Sequence, residues 1–282
     1  VTSTETAFAP VSGDPPNLRR PGRLLPHLLL AAAAVAALVL RWQFVDVQTG
    51  DYRGFLHPWF THLLQAGGFG GLADLAANYN SPYLVLLAVL TYLPVPDLIS
   101  IKVVSVLFDL LLAFFAYKII DAVRPRSRWL PSVTAAVVLF LPTVIMNGAV
   151  WGQCDSIYGS FVLAGLYFLI TRRPWRACLF VGLALAFKLQ AVFFLPVLLG
   201  VLVVNRMRLR SLLAIPAVFL AALVPAWLAG RSLLTQLLTY PAQVGLTGTD
   251  GDPGRISAQR AAGGGGRGGG GGFGGGTGGP PT

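Results

Sequence analysis

Residues 24–62 read LLPHLLLAAAAVAALVLRWQFVDVQTGDYRGFLHPWFTH. An apolar run over 24–45, rich in Leu and then in Ala, gives way within a few residues to Asp46, to Gly50-Asp51-Tyr52, and to His57, Trp59 and His62. About 20 apolar residues match the thickness of a bilayer core. The small residues Ala31 to Ala37 resemble a leader cleavage site, but they lie inside the run and Leu38-Val39-Leu40 follow them. The run is therefore read as a membrane span with a polar cluster at its exit. Acids at such a place are costly, which makes them candidates for chemistry.

The rest of the chain extends this reading. Of 282 residues, 55% are hydrophobic and 11% are charged, with a mean hydropathy of +0.68. Soluble domains carry roughly a quarter charged residues. The fold class is therefore all-α: a polytopic transmembrane helical bundle with a large first extracytoplasmic loop. The net charge of +10 is not one basic patch. It falls in runs at Arg19-Arg20 and Arg23, Arg124 to Arg128, Arg172 to Arg176, and Arg206 to Arg210, each at the end of an apolar segment. Such runs mark the cytoplasmic side, and they argue against nucleic acid as a partner.

Residues 1–23 read as a disordered cytoplasmic tail. Spans are expected near 24–45, 98–120, 129–149, 156–171 and 211–229, with 82–95 a short or half-inserted helix. Within 46–80, His57 to Ala66 and Leu72 to Ala77 carry apolar residues at helical spacing, separated by Gly67-Gly68 and Gly70-Gly71. They predict two short amphipathic helices on the membrane surface, with Trp59 and Phe60 as anchors at headgroup level. Residues 177–204 are long for one span and basic at both ends, which predicts a hairpin with Lys188 and Gln190 near its tip. A lysine there needs a cavity or an acidic partner. Residues 244–282 form a glycine-rich tail with no packed structure. Cys154 and Cys178 fall at opposite membrane faces, which excludes a disulfide.

This topology puts Asp46, Asp51, Asp74 and Asp155 outside. A carboxylate at the boundary can accept a proton from an attacking hydroxyl or stabilise a developing sugar cation. Asp51 sits between Gly50 and Tyr52 at the foot of the first span, at the depth of a lipid headgroup, and Asp46 is the competing acid. Their spacing is too wide for a paired-aspartate metal motif, and His57 and His62, five apart, do not share a helix face, so no metal is expected. Arg53, His57, His62 and Lys188 are the cationic groups available to a lipid phosphate. The stretch Trp151-Gly152-Gln153-Cys154-Asp155 either anchors and turns a span end or stacks on and hydrogen-bonds a polar substrate. Asn147 would lie on its side, and Asn78 to Tyr83, with Asn80 and Tyr83, either starts the next helix or lines the same cavity.

Gly-Asp-Tyr after the first span, paired amphipathic helices, Tyr79-Asn80-Ser81-Pro82-Tyr83, Trp151-Gly-Gln153-x-Asp155 and Phe187-Lys188-x-Gln190 occur in this order. The arrangement over residues 24–243 resembles polytopic GT-C glycosyltransferases. The nearest branches are dolichyl-phosphate-glucose-dependent glucosyltransferases, mannosyltransferases of glycolipid-anchor assembly and similar bacterial membrane proteins. The resemblance implies Asp51 as general base, and a polyprenyl-phosphate sugar as co-substrate with no other cofactor. It implies Lys188 and Gln190 beside the donor phosphate, and Trp151, Gln153 and Asp155 near the sugar. Tyr52, Arg53, His57, His62, Asn80 and Tyr83 complete the expected binding set. The expected partners are membrane lipids, the donor, and a lipid-linked or envelope glycan acceptor, in a multi-pass cell-membrane protein whose active site is extracytoplasmic.

Gly230 to Gln243 resembles the segment after the family's seven-span module, and the further spans expected next are replaced by the glycine-rich tail. That predicts the N-terminal module of a truncated or frameshifted product. The alternatives are a transporter or lipid-binding membrane protein, or an inactive fragment.

Overall fold

The computed structural model describes residues 24–243, and among them every regular element is a helix. The tails expected at 1–23 and 244–282 lie outside the described residues. α1 is Leu24–Trp42, α2 His57–Gln65, α3 Ser81–Leu90, α4 Asp97–Val123, α5 Leu130–Phe140 and α6 Pro142–Ile145. α7 is Asp155–Ile170, α8 Pro174–Phe187, α9 Leu195–Val204, α10 Ala214–Leu228 and α11 Leu233–Gln243. Two π-helical turns, Tyr52–Leu56 and Met146–Trp151, and three 3-10 turns, Gly68–Leu72, Leu189–Phe194 and Leu209–Leu213, connect them.

The long helices pack as a row in the order α1, α5, α4, α7, α8, α10. Leu24–Trp42, Asp97–Val123 and Leu209–Leu228 are long and apolar enough to cross a membrane. α5 and Pro142–Trp151 make a fourth such unit, bent by 51°. The bend has a local cause. Pro142 has no N–H and forces Leu141 into an extended conformation, φ −59° and ψ 124°, which breaks the helical ladder.

Residues 174–204 double back. α8 stops at Phe187, where Lys188 is extended, and α9 returns. Leu198 and Leu202 of α9 share a buried cluster with Ala177, Cys178 and Val181 of α8, and Arg172 donates to Asn205 at 3.4 Å across the open end. α3 is a shorter apolar helix of ten residues. At its start Asn80 donates to the Ala186 carbonyl, and just past its end the Tyr92 hydroxyl donates to the Gly67 carbonyl, so both ends stay on the side of the first loop.

Two readings of that loop change. The second surface helix, expected over Leu72 to Ala77, is instead a 3-10 turn at Gly68–Leu72. Gly67 and Gly68 at φ 78° and 76° break the α-helix there. Trp59 and Phe60 are not membrane anchors. They are 4% and 5% exposed and pack inward with Leu63, Leu72, Leu84 and Leu87.

The centre of the row holds charges. The Asp109 carboxylate of α4, fully buried, accepts from Arg41 Nε at 3.0 Å and from the Ser156 hydroxyl. A Cβ at residue 148 would lie 2.5 Å from Asp109 Oδ2, so only glycine fits where the second π turn crosses this pair. Replacing Asp109 by Ala leaves a buried guanidinium without its counter-ion and should destabilise the protein by about 3–5 kcal/mol. Thermal unfolding in detergent checks this. The double replacement Asp109→Leu with Arg41→Met should lose clearly less.

Candidate active site

The helix row has two unlike ends. At one, the end of α4 meets the start of α1, where Tyr117 and His27 are 2.8 Å apart. That end also carries Arg124 to Arg128, Arg172 to Arg176 and Arg206 to Arg210. At the other end the first loop, the second π turn, the start of α7 and the tip of the α8–α9 hairpin converge.

Lys102 secures the first loop. It is 4% exposed, and its ammonium donates to the carbonyls of Phe44, Val45 and Val47 at 2.6, 3.2 and 2.6 Å. All its donors are thereby used on carbonyls past the end of α1. The chain then turns through Gly50 into the π turn that Asp51 heads. Arg231, 4% exposed, does the same from beyond α10, donating to the carbonyls of Leu72 and Leu75 at 3.1 and 2.8 Å.

Two adjoining cavities open here. The smaller, about 180 Å³, is lined by Asp51, Phe55, Trp59, Asn78, Tyr79 and Gln153. The larger, about 300 Å³, shares Asn78, Tyr79 and Gln153 and continues to Asn80, Cys154, Lys188, Gln190, Tyr240 and Gln243. They form one cleft with Asp51 at one end and the hairpin tip at the other. Gln153 Nε2 donates to Asp51 Oδ2, and Oδ1 has no protein donor among the described contacts. Asp155 heads α7 and accepts from Asn147 Nδ2 at 2.8 Å and from Lys188 Nζ. The lysine at the tip therefore has both a cavity and an acid. Gln190 also lines an apolar groove of about 410 Å³ beside α7, with Leu112, Val138, Val144 and Val162 among its walls.

Several candidates lie elsewhere. His57 pairs with Asp97 at 2.6 Å, and the Tyr52 hydroxyl donates to the same carboxylate at 2.8 Å. His62 pairs with Asp74 at 3.1 Å and staples α2 to the following 3-10 turn. Arg53 donates to Gln48 at 3.3 Å on the surface. Tyr83 is 2% exposed, in the core beneath Tyr79. Trp151 is 42% exposed and lines neither cavity, and Asp46 stays outside both. The sequence reading missed Asp97, Lys102, Asp109 and Arg231, whose partners are distant in the chain. Among the described residues no three His, Cys, Asp or Glu side chains gather to hold a metal ion.

Two groups in the cleft have shifted acidities. Burial, and then the neighbouring Cys154, Asp155 and Asp51, hold the Tyr79 phenol above its usual value, so it remains a hydrogen-bond donor. Burial pushes the Cys154 thiol up to about 12. Since the thiolate is the reactive form, Cys154 should resist iodoacetamide at pH 8 in the folded protein and react on unfolding, as mass spectrometry of the alkylated peptide would show.

An all-helical bundle with acids and amides gathered in a cleft at one end marks a candidate functional site in a polytopic membrane protein. The sequence model of glycosyltransferase family 87 matches residues 78–264, well over half of the chain, and the chain belongs to that family. Asp51 precedes the matched stretch, whereas Asn78, Gln153, Asp155, Lys188 and Gln190 fall within it. No curated protein and no solved structure matches the chain.

Proposed function

We propose that this membrane glycosyltransferase is of GT-C type and transfers a hexose, with inversion, from a polyprenyl-phosphate sugar to a lipid-linked or envelope glycan acceptor. The observation that carries the reading is the single cleft that holds Asp51, Gln153 and Lys188. Asp51 removes the acceptor proton, the acceptor oxygen attacks the anomeric carbon, and the sugar–phosphate bond breaks with its electron pair leaving on polyprenyl phosphate. Gln153 orients the base through its bond to Oδ2. Lys188 has donors beyond the one on Asp155 and sits where it can offset charge on the departing phosphate. Tyr79 supplies a donor for sugar hydroxyls; Asn78 lines both cavities, with its Oδ1 buried and without a partner in the protein.

The apolar groove that meets the cleft at Gln190 suits the polyprenyl tail. The arginine runs at the opposite end favour an extracytoplasmic cleft and a cytoplasmic N-terminus. No step requires a metal.

Asp51→Asn keeps the size and the Gln153 contact but removes the base. Transfer from a synthetic polyprenyl-phosphate hexose by the reconstituted protein should fall about 100- to 10,000-fold, with unfolding temperature unchanged. Transfer at near-normal rate by Asp51→Asn would reject the assignment. Lys188→Met should lower kcat while Asp155 stays in place.

A further inference from the structure

Six exposed arginines sit on two neighbouring turns at the end of the molecule away from the cleft. Arg172, Arg173 and Arg176 follow α7, and Arg206, Arg208 and Arg210 follow α9. The turns touch: Arg172 donates to Asn205, and Cys178 and Ser211 meet just behind them.

The two turns are the same motif. After α7, the N–H of Arg173 bonds to the Phe168 carbonyl at 2.8 Å and that of Arg172 to the Leu169 carbonyl at 3.1 Å. After α9, Met207 bonds to Leu202 at 2.8 Å and Arg206 to Val203 at 3.0 Å. This is the Schellman helix ending, whose left-handed residue is usually glycine. Here it is Arg172 at φ 56° and Arg206 at φ 50°, the two non-glycine residues with positive φ among the described residues. The same chain uses glycine where the motif recurs at the other end. After α10, Gly230 at φ 94° bonds to Trp227, and Arg231 to Ala226, both at 2.9 Å.

A side chain in the left-handed region is strained, by roughly 1 kcal/mol, and a cytoplasmic charge signal does not require it. Arg173, Arg176, Arg208 and Arg210 supply that signal next door without strain. Arg172 has the 3.4 Å contact with Asn205, and the Arg206 guanidinium has no partner among the described contacts. Val204, Leu213 and Trp175 are 76%, 67% and 48% exposed beside the arginines, an apolar collar with an aromatic marker of the membrane boundary. Among the described residues, the acid in the helix ends here is Asp121.

We propose that the paired turns after α7 and α9 form a clamp for the phosphate headgroup of an anionic phospholipid, with Arg172 and Arg206 as its two forks and the apolar collar taking the acyl chains. Guanidinium groups bind phosphate through parallel N–H donors, which lysine or glycine at the same place would not provide.

The test separates this clamp from diffuse attraction and from a structural role. The full chain, reconstituted in phosphatidylcholine bilayers with and without phosphatidylglycerol, is purified, and the retained lipid is measured by mass spectrometry. The double variant Arg172→Gly, Arg206→Gly should unfold at the same or a higher temperature, since glycine relieves the strain. It should retain roughly a hundredfold less phosphatidylglycerol relative to phosphatidylcholine, about tenfold for each charge-assisted guanidinium–phosphate fork removed. The control Arg124→Gly, Arg126→Gly removes as much charge at the same end and should change retention little. Equal losses in the two variants, unchanged retention in the first, or a lower unfolding temperature for it would each overturn the proposal.

Discussion

The Asp109 carboxylate is the point at which four segments of this fold are tied together. It holds Arg41 at the exit of α1, Ser156 at the entry of α7, and the backbone at Gly148 in the second π turn, all from the middle of α4. An ion pair taken out of water gains little net stability against an apolar substitute. Its value here is geometric. Asp51 follows from the end of α1, Asn147 and Gln153 from the π turn, and Asp155 from the start of α7. One buried carboxylate thus sets the relative positions of the chain segments that carry the cleft.

A second pattern acts on the loop side. Lys102 and Arg231 are both buried and both spend their donors on loop carbonyls rather than on acids. Irregular backbone near a membrane is tolerable only where its polar groups are satisfied inside the protein. These two cations satisfy it, and so let the first loop turn back over the bundle and place a carboxylate beside residues 78–80 and 153. The placement of the cleft therefore rests on two cations that line neither cavity.

How much of this can be read from sequence depends on the range of the interaction. The helical class is legible because apolar runs and arginine punctuation are local signals. Asp51, Asn80, Gln153, Lys188 and Gln190 stand out because polar residues are scarce in such a chain, and they do line the cleft. Rarity alone misleads for His57 and His62, whose acids Asp97 and Asp74 sit outside the cleft and hold the loop together. The partnership of Arg41 with Asp109 spans 68 residues and leaves no periodic trace. The stretch expected as a surface helix at Leu72 to Ala77 has the right apolar spacing but too much glycine before it. Trp59 and Phe60 face inward because α3 turns back beneath them, which no local pattern announces.

The two π turns have an implication for how such a site changes over time. Each holds one residue more than an α-helical turn of the same height. Loss of one residue from Met146–Trp151 would let the segment relax to an α-helix, and every side chain before the deletion would rotate by about 100° relative to those after it. Asn147 would swing away from Asp155 while the apolar composition of the segment barely altered. Cleft and bundle are thus coupled through chain length as well as through residue identity. A single-codon deletion there would leave a membrane protein of ordinary appearance with its polar groups pointing at the wrong neighbours.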